Sequence, residues 1–307
     1  MSIAFLYAGQ GSQHPGMGAD LYETYPQFRA VLDGADLDFD VKEVSFQDSQ
    51  GVLNETRYTQ PCMVAFAVGV TQILADEGIR PDYVAGLSLG EYSALQAAGV
   101  FTPQQAISLV AFRGKVMAEA AKGVPCGMTA VLGLDREKLE QACEQASALG
   151  VVCIANYNCP GQLVIGGHQE AVDEAARLAK EMGARRCMPL KVSGPFHTPL
   201  LKPAGDALAE KFKGETFGEM QVPVLFNCLG REMGPDDTIP ALLERQVQSS
   251  VYMEDTIRRL AELGVDTIVE IGPGKVLSGF VRKTTPEIKT YAVETVADVQ
   301  ALVQALK

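Results

Sequence analysis

The stretch Tyr83-Val84-Ala85-Gly86-Leu87-Ser88-Leu89-Gly90-Glu91-Tyr92-Ser93-Ala94-Leu95 places a glycine-flanked serine between an apolar run and a helix-forming run. It predicts a strand over 82–87, a sharp turn at Ser88 and a helix over 89–98. The pattern G-x-S-x-G in this setting is that of a nucleophile elbow. A tight turn lifts the hydroxyl above a sheet edge, glycines let backbone pass closely, and the following N–H can face an oxyanion. A plainer reading of the same residues is an ordinary strand–helix turn with a capping serine.

Outward from that turn, the two flanks also alternate strand and helix. Ile3–Tyr7 reads as a buried strand ending in Gly9-Gln10-Gly11-Ser12-Gln13. A helix is expected over 19–34, an irregular stretch to about 58, and then a helix with Pro61 in its first turn reaching Glu77. Pro103 opens a helix that carries Arg113. Past the middle of the chain, a helix is expected over 199–213, a strand over 222–227 and helices over 239–247 and 253–263. A strand over 266–271 then turns at Gly272-Pro273-Gly274 into a helix from Lys275. Strands followed by helices indicate a mostly parallel sheet covered on both faces.

Between these flanks the pattern changes. Strands are expected over 128–134, 151–157, 162–166 and 186–192, with helices over 136–148 and 169–182. This βαββαβ order is the ferredoxin-like signature. The fold class expected is α/β: a large domain of residues 1–124 and 193–307, with a small ferredoxin-like domain, 125–192, inserted into it.

The chain has 307 residues, 47% apolar and 21% charged, with a net charge of −12. Such an acidic balance argues against nucleic acid and against an anionic membrane surface. An acidic docking partner would then need a local basic patch, for which Lys180, Arg185, Arg186, Lys191, Lys202, Arg282 and Lys283 are candidates. The seven cysteines form no C-x-x-C pair and read as small core residues in a reducing cytosol. No basic n-region precedes the first apolar run, and no stretch reads as the ~20 apolar residues that span a bilayer. A cytoplasmic protein is expected.

A serine nucleophile needs a base. Of the three histidines, His168 follows Gly166-Gly167 at a helix start and His14 follows the first glycine-rich turn. His197, between Pro195 and Pro199, is favoured by elimination. Gly9-Gln10-Gly11-Ser12-Gln13 lacks the third glycine of a dinucleotide fingerprint, and Gly272-Pro273-Gly274-Lys275 lacks the flanks of a P-loop. The first turn can instead bring a backbone amide to a reacting group, or serve packing alone. Arg113 reads either as a solvated helical residue or as a fork for a substrate carboxylate.

Taken in order, Gly9-Gln10-Gly11-Ser12-Gln13, Thr59-Gln60-Pro61, Gly86-Leu87-Ser88-Leu89-Gly90, Arg113-Gly114-Lys115, Asn158-Cys159-Pro160-Gly161-Gln162, Phe196-His197 and Glu270-Ile271-Gly272-Pro273-Gly274 resemble the malonyl-CoA:acyl carrier protein transacylases of type II fatty acid synthesis. The resemblance covers almost the whole chain. It implies a hydrolase-like large domain beside the ferredoxin-like one, and a malonyl group carried from coenzyme A to the phosphopantetheine thiol of an acyl carrier protein. Ser88 would be the nucleophile and His197 the base, oriented by the main-chain carbonyl of Gln246. The amides of Gln10 and Leu89 would form the oxyanion hole. Arg113 would hold the malonyl carboxylate, with Gln60, Asn158 and Phe196 lining the pocket. Leu87 departs from the family's usual histidine before the nucleophile. The resemblance implies no metal and no resident cofactor, and a monomer is expected. Rival readings are an acyltransferase serving a polyketide synthase, a serine esterase or thioesterase, and a catalytically silent binding module.

Overall fold

The computed structural model describes residues 1–307. The chain divides into two compact units, each assembled from separate stretches: Met1–Lys115, Thr216–Phe226 and Arg258–Lys307 in the first, Val116–Glu215 and Asn227–Ile257 in the second. The segment 125–192 lies wholly within the second unit, which also takes in the residues on either side of it and a later stretch.

In the first unit five parallel strands are ordered Lys289–Val293, Thr267–Ile271, Ile3–Tyr7, Tyr83–Gly86, Val224–Phe226. Ile3–Tyr7 and Thr267–Ile271 are buried at every residue, as central strands covered on both faces must be. Tyr7 registers with both Gly86 and Ile271, and Ile271 with Val293, so these strands end level. The turns that begin at Ala8, Leu87 and Gly272 therefore leave one carboxyl edge, where open α/β sheets place their ligands.

The helix Thr56–Asp76 is the longest in this unit. It is long and apolar enough to cross a membrane by length and composition, contrary to the expectation from sequence. Within the structure 83% of its apolar window is buried, so it is a core helix. Pro61 lies inside it and not in its first turn, because hydrogen bonds from Tyr58 and Thr59 to the Glu55 carbonyl start the helix five residues earlier. The single helix expected over 19–34 is two, Ala19–Thr24 and Pro26–Asp33. Tyr25 is extended (φ −112°, ψ 111°), as the residue before a proline prefers. The strand Lys289–Val293 and the helix Val296–Leu306 had no counterpart in the sequence reading.

In the second unit the strands are ordered Arg186–Pro189, Cys126–Leu132, Gln162–His168, Val152–Cys159, Val251–Tyr252. The first four pair antiparallel, and the last is parallel to its neighbour. Helices Arg136–Ala146 and Gln169–Glu181 bury Leu139, Val172 and Ala175 with Val131, Ile154, Leu163 and Ile165 of the strands. Asp135 starts the first helix by accepting from the Lys138 amide at 3.0 Å. The helix expected over 199–213 is a 3₁₀ turn, Pro199–Leu201, followed by an α-helix, Lys202–Phe212.

Candidate active site

The nucleophile turn is built by exclusion of side chains. A Cβ on Gly86 would lie 2.1 Å from the Gly90 carbonyl carbon, and one on Gly90 would lie 2.4 Å from the Tyr7 carbonyl oxygen. Both contacts are with backbone, so neither position admits another residue without moving the chain. The Leu87 amide donates to Tyr7 O at 2.9 Å, fixing the turn to the first strand. What remains for Ser88 is a left-handed backbone, φ 55°. For a residue with a Cβ this conformation costs on the order of 1–3 kcal/mol, and it persists here because the glycine contacts leave no alternative. Leu89, buried, precedes the helix Gly90–Ala97, and its amide is among those a helix start leaves without an intrahelical acceptor.

Arg113 is fully buried. One guanidinium nitrogen donates to Ser88 Oγ at 3.0 Å and another to Gln60 Oε1 at 2.9 Å. Its carbon lies 5.6 Å from the centre of the Tyr92 ring. Burial pulls its pKa down, while Tyr92 and the buried Glu91 pull it back up. Arginine stays protonated regardless, so the unit holds a fixed cation beside the serine. The solvated-face reading of Arg113 is thereby excluded.

The Gly9 turn lies against the same elbow: a Cβ on Gly9 would meet the Leu87 carbonyl oxygen at 2.7 Å. Gln10 Nε2 donates to Thr56 Oγ1 at 3.1 Å, on the helix that carries Gln60. Ser88, Leu89, Arg113, Gln60 and Gln10 thus form one connected group in the first unit. Glu91 and Tyr92, three and four residues after Ser88, belong to this group and were not singled out from sequence. The available signal was two polar side chains on a helix face that an apolar core should have claimed.

The second unit holds the other candidates. His197 is buried and left-handed, φ 60°. Thr198 Oγ1 donates to Pro195 O at 2.6 Å across the turn, which pins the backbone on both sides of the histidine. Nδ1 of His197 lies 2.9 Å from the carbonyl oxygen of the buried Gln246. A carbonyl only accepts, so Nδ1 carries the proton and Nε2 presents its lone pair. Phe196 is buried beside it. Asn158 sits where the pairing of Val152–Cys159 slips: Tyr157 faces Leu163 and Cys159 faces Gln162, leaving Asn158 as the extra residue. Such bulges re-aim a side chain. Its Oδ1 is buried without a hydrogen-bond partner.

The remaining histidines are accounted for differently. His168 caps the helix Gln169–Glu181 and accepts from the Val151 amide at 2.9 Å. His14 pairs with Glu294. All seven cysteines are free thiols. Burial pushes Cys62 and Cys143 up to about 12 and Cys153 to about 11, so none of these is a thiolate nucleophile at neutral pH. Of the basic candidates, Arg185, Arg186 and Lys191 are near one another in sequence in the second unit, where Lys202 is paired with Asp206. Arg282 and Lys283 close the helix Val276–Thr284 in the first unit.

Comparison with known proteins gives a consistent set. The acyl transferase domain family matches residues 4–302. A malonyl CoA-acyl carrier protein transacylase of Bacillus subtilis is 42% identical over 308 residues, covering 99% of this chain and 97% of that protein. One from Staphylococcus aureus is 37% identical, covering 97% of each. Among solved structures, MCAT from Streptococcus pneumoniae superposes with a TM-score of 0.95 at 46% identity, over 99% of this chain and 100% of that one. The malonyl-transacylase PlMCAT, solved with the type II polyketide acyl-carrier protein AntF, gives 0.95 at 37% identity over 99% of this chain and 100% of that one.

Proposed function

The chain belongs to the acyl transferase family, and from that premise we propose that it moves malonyl groups from malonyl-CoA to the phosphopantetheine thiol of an acyl carrier protein. The observation that carries this reading is the buried Arg113 guanidinium held against Ser88 Oγ. An esterase has no use for a cation there, whereas a malonyl ester on Ser88 brings a carboxylate within its reach. Charge-assisted bonds of this kind discriminate by ~1.5–3 kcal/mol, roughly 10- to 150-fold between malonyl and acetyl groups.

In this proposal Ser88 Oγ attacks the thioester carbonyl while His197 Nε2 takes its proton. The amides of Gln10 and Leu89 receive the oxyanion, and coenzyme A leaves as a thiol with the proton from the imidazolium. The carrier protein's thiol then attacks the malonyl-serine ester by the same steps in reverse. Gln246 supplies orientation without negative charge. A base supported in this way suits a thiol, whose pKa of about 8.5 lies near imidazole's, far better than water, which is a much weaker acid. That difference helps the ester survive until the second thiol arrives. Gln60 fixes the Arg113 fork, and Asn158 and Phe196 line the acyl pocket. Leu87, in place of the family's usual histidine, stands beside the nucleophile and leaves these steps intact.

The hydrolase-like description fits the parallel sheet of the first unit, and residues 125–192, with their four antiparallel strands and two helices, fit the ferredoxin-like description. The same proposal makes the protein a cytoplasmic monomer that needs no metal, and sedimentation at working concentration tests the oligomeric part. Its carrier protein would dock on the edge strand Arg186–Pro189 and the residues after it. There Met188, Leu190 and Val192 are exposed by 41, 38 and 40%, alongside Arg185, Arg186 and Lys191. The double substitution Arg186→Glu with Lys191→Glu should raise KM for the carrier protein and leave loading from malonyl-CoA unchanged.

Intact-mass measurement after mixing with malonyl-CoA should show one malonyl adduct, absent in Ser88→Ala. Arg113→Ala should lower malonyl transfer and relatively favour acetyl; an unchanged preference would remove Arg113 from the site. The resemblance to PlMCAT keeps a polyketide carrier protein as a second reading, and a panel of carrier proteins separates the two.

A further inference from the structure

The turn at Gly272-Pro273-Gly274 and the residue His14 have no part in the chemistry above, yet they meet behind the Gln10 loop. His14 Nε2 lies 2.5 Å from Glu294 Oε1, and its Nδ1 lies 3.0 Å from the Pro15 carbonyl oxygen. The Pro15 carbonyl only accepts, as does Glu294 when ionised, so an imidazolium satisfies both contacts at once. Glu294 accepts from the Gly274 amide at 2.9 Å through its other oxygen. Its own amide donates to Asp298, which also forms the capping box of the helix Val296–Leu306 with Thr295. Asp20 accepts from the Val296 amide at the same helix start. Glu294 is the charged group that meets the ring and favours the cation; Asp298 and Asp20 lie beyond it on the amides of Glu294 and Val296, and Lys275 follows Gly274 in the turn. The pKa of His14 is raised, first by its bond to Glu294.

The Gln10 loop is thus tied on two sides. Gln10 and Gln13 bind Thr56 and Asn54 on one side, at 3.1 and 2.8 Å. On the other, a Cβ on Gly272 would come within 2.4 Å of Ala8 Cβ, and His14 bridges to Glu294. Only the bridge is ionic and titratable. We infer that His14, clamped as an imidazolium between the Pro15 carbonyl and Glu294, is a positioning residue that holds the Gln10 amide in place for the oxyanion. The inference rests on the role proposed above for Gln10.

The test is single-turnover loading of Ser88 from malonyl-CoA, quenched and read by intact mass from about pH 6 to about pH 9. Loss of an oxyanion donor outright costs ~100-fold or more, so loosening the loop in His14→Gln should slow loading by roughly tenfold with KM for malonyl-CoA unchanged. In the unsubstituted enzyme the rate should fall on the alkaline side as His14 loses its proton. That limb should vanish in His14→Gln, whereas His14→Lys, whose charge persists, should recover the rate and hold it across the alkaline range. Equal loading rates and pH profiles for the unsubstituted enzyme and His14→Gln would overturn the inference. So would a slow His14→Gln that His14→Lys does not rescue, since that marks packing and not charge. Absence of any Ser88 adduct in the unsubstituted enzyme would instead defeat the proposed function itself.

Discussion

Ser88 in the first unit and His197 in the second reach the same backbone state by different means. Both are left-handed, at φ 55° and 60°, and only Asp48 shares that state among residues with a Cβ. Around Ser88 the backbone is wedged, with glycine Cα atoms where any side chain would strike Tyr7 or Gly90. Around His197 it is stapled, by the Thr198 hydroxyl on Pro195 and by the ring's bond to the Gln246 carbonyl. The nucleophile is fixed by what is missing from its neighbours and the base by what is bonded to it. Each should then fail in its own way when altered.

The largest expected effects are on rate. Ser88→Ala removes the ester altogether, so loading should be undetectable by intact mass. His197→Ala should lower transfer on the order of 10⁴-fold or more while leaving slow loading that rises with pH, because hydroxide can replace the missing base. A variant at 197 that loads at full rate would break the pairing of roles.

Stability sharpens the contrast next. Gly90→Ala meets the Tyr7 carbonyl, which cannot yield, and should destabilise by about 3 kcal/mol or more in a denaturant titration. Gly205→Ala, on the helix beside the one carrying Gln246, meets the Gln248 side-chain amide at 2.4 Å and backbone only at 3.2 Å. Since Gln248 can swing aside, about 1 kcal/mol is expected, with a modest loss of kcat as Gln246 shifts. Equal penalties at the two positions would mean that wedge and staple are not distinct.

A smaller comparison isolates the shared strain. Ser88→Gly should be more stable than Ser88→Ala, and His197→Gly than His197→Ala, each by about 1 kcal/mol. A difference at one position only would show that the other is relaxed.

The strand–turn–helix around Ser88 was legible because its signal is local: apolar run, glycines and helix formers within thirteen residues. The four antiparallel strands and two α-helices of 125–192 were legible for the same reason, each marked by its own periodicity, although the strand expected over 186–192 stops at Pro189 and the 3₁₀ turn Ser147–Leu149 gave no signal. Arg113 was not, since its partners Ser88 and Gln60 lie 25 and 53 positions away and nothing adjacent records its burial. Gln246 acts through a carbonyl that any residue could offer, so only resemblance pointed to it. The bulge that frees Asn158 depends on register, which neither strand's composition reveals. Lys289–Val293 is an edge strand with only its last residue buried, too faint for alternation to disclose.

Glu270 gives the smallest and most delicate test, because it fixes the sheet edge from which the elbow rises. It is buried in the strand Thr267–Ile271, and its two oxygens accept from the Leu277 and Ser278 amides at 2.9 and 2.7 Å, at the start of the helix Val276–Thr284. Burial raises its pKa above the usual carboxylate value, and the amides only partly offset this. A carboxyl whose folded pKa is raised binds its proton more tightly in the folded chain. Its stabilising share is full below the unfolded pKa and is lost as pH rises through the folded one. Glu270→Gln cannot titrate, so the stability difference between the unsubstituted protein and this variant should shift toward the unsubstituted protein as pH falls from about 7 to about 5. Paired thermal melts check this, and a shift of opposite sign would mean that the two amide bonds outweigh burial. The first unit would then use this buried carboxylate as the second uses Gln246, as a bonded anchor, and the division between wedge and staple would hold for the elbow alone.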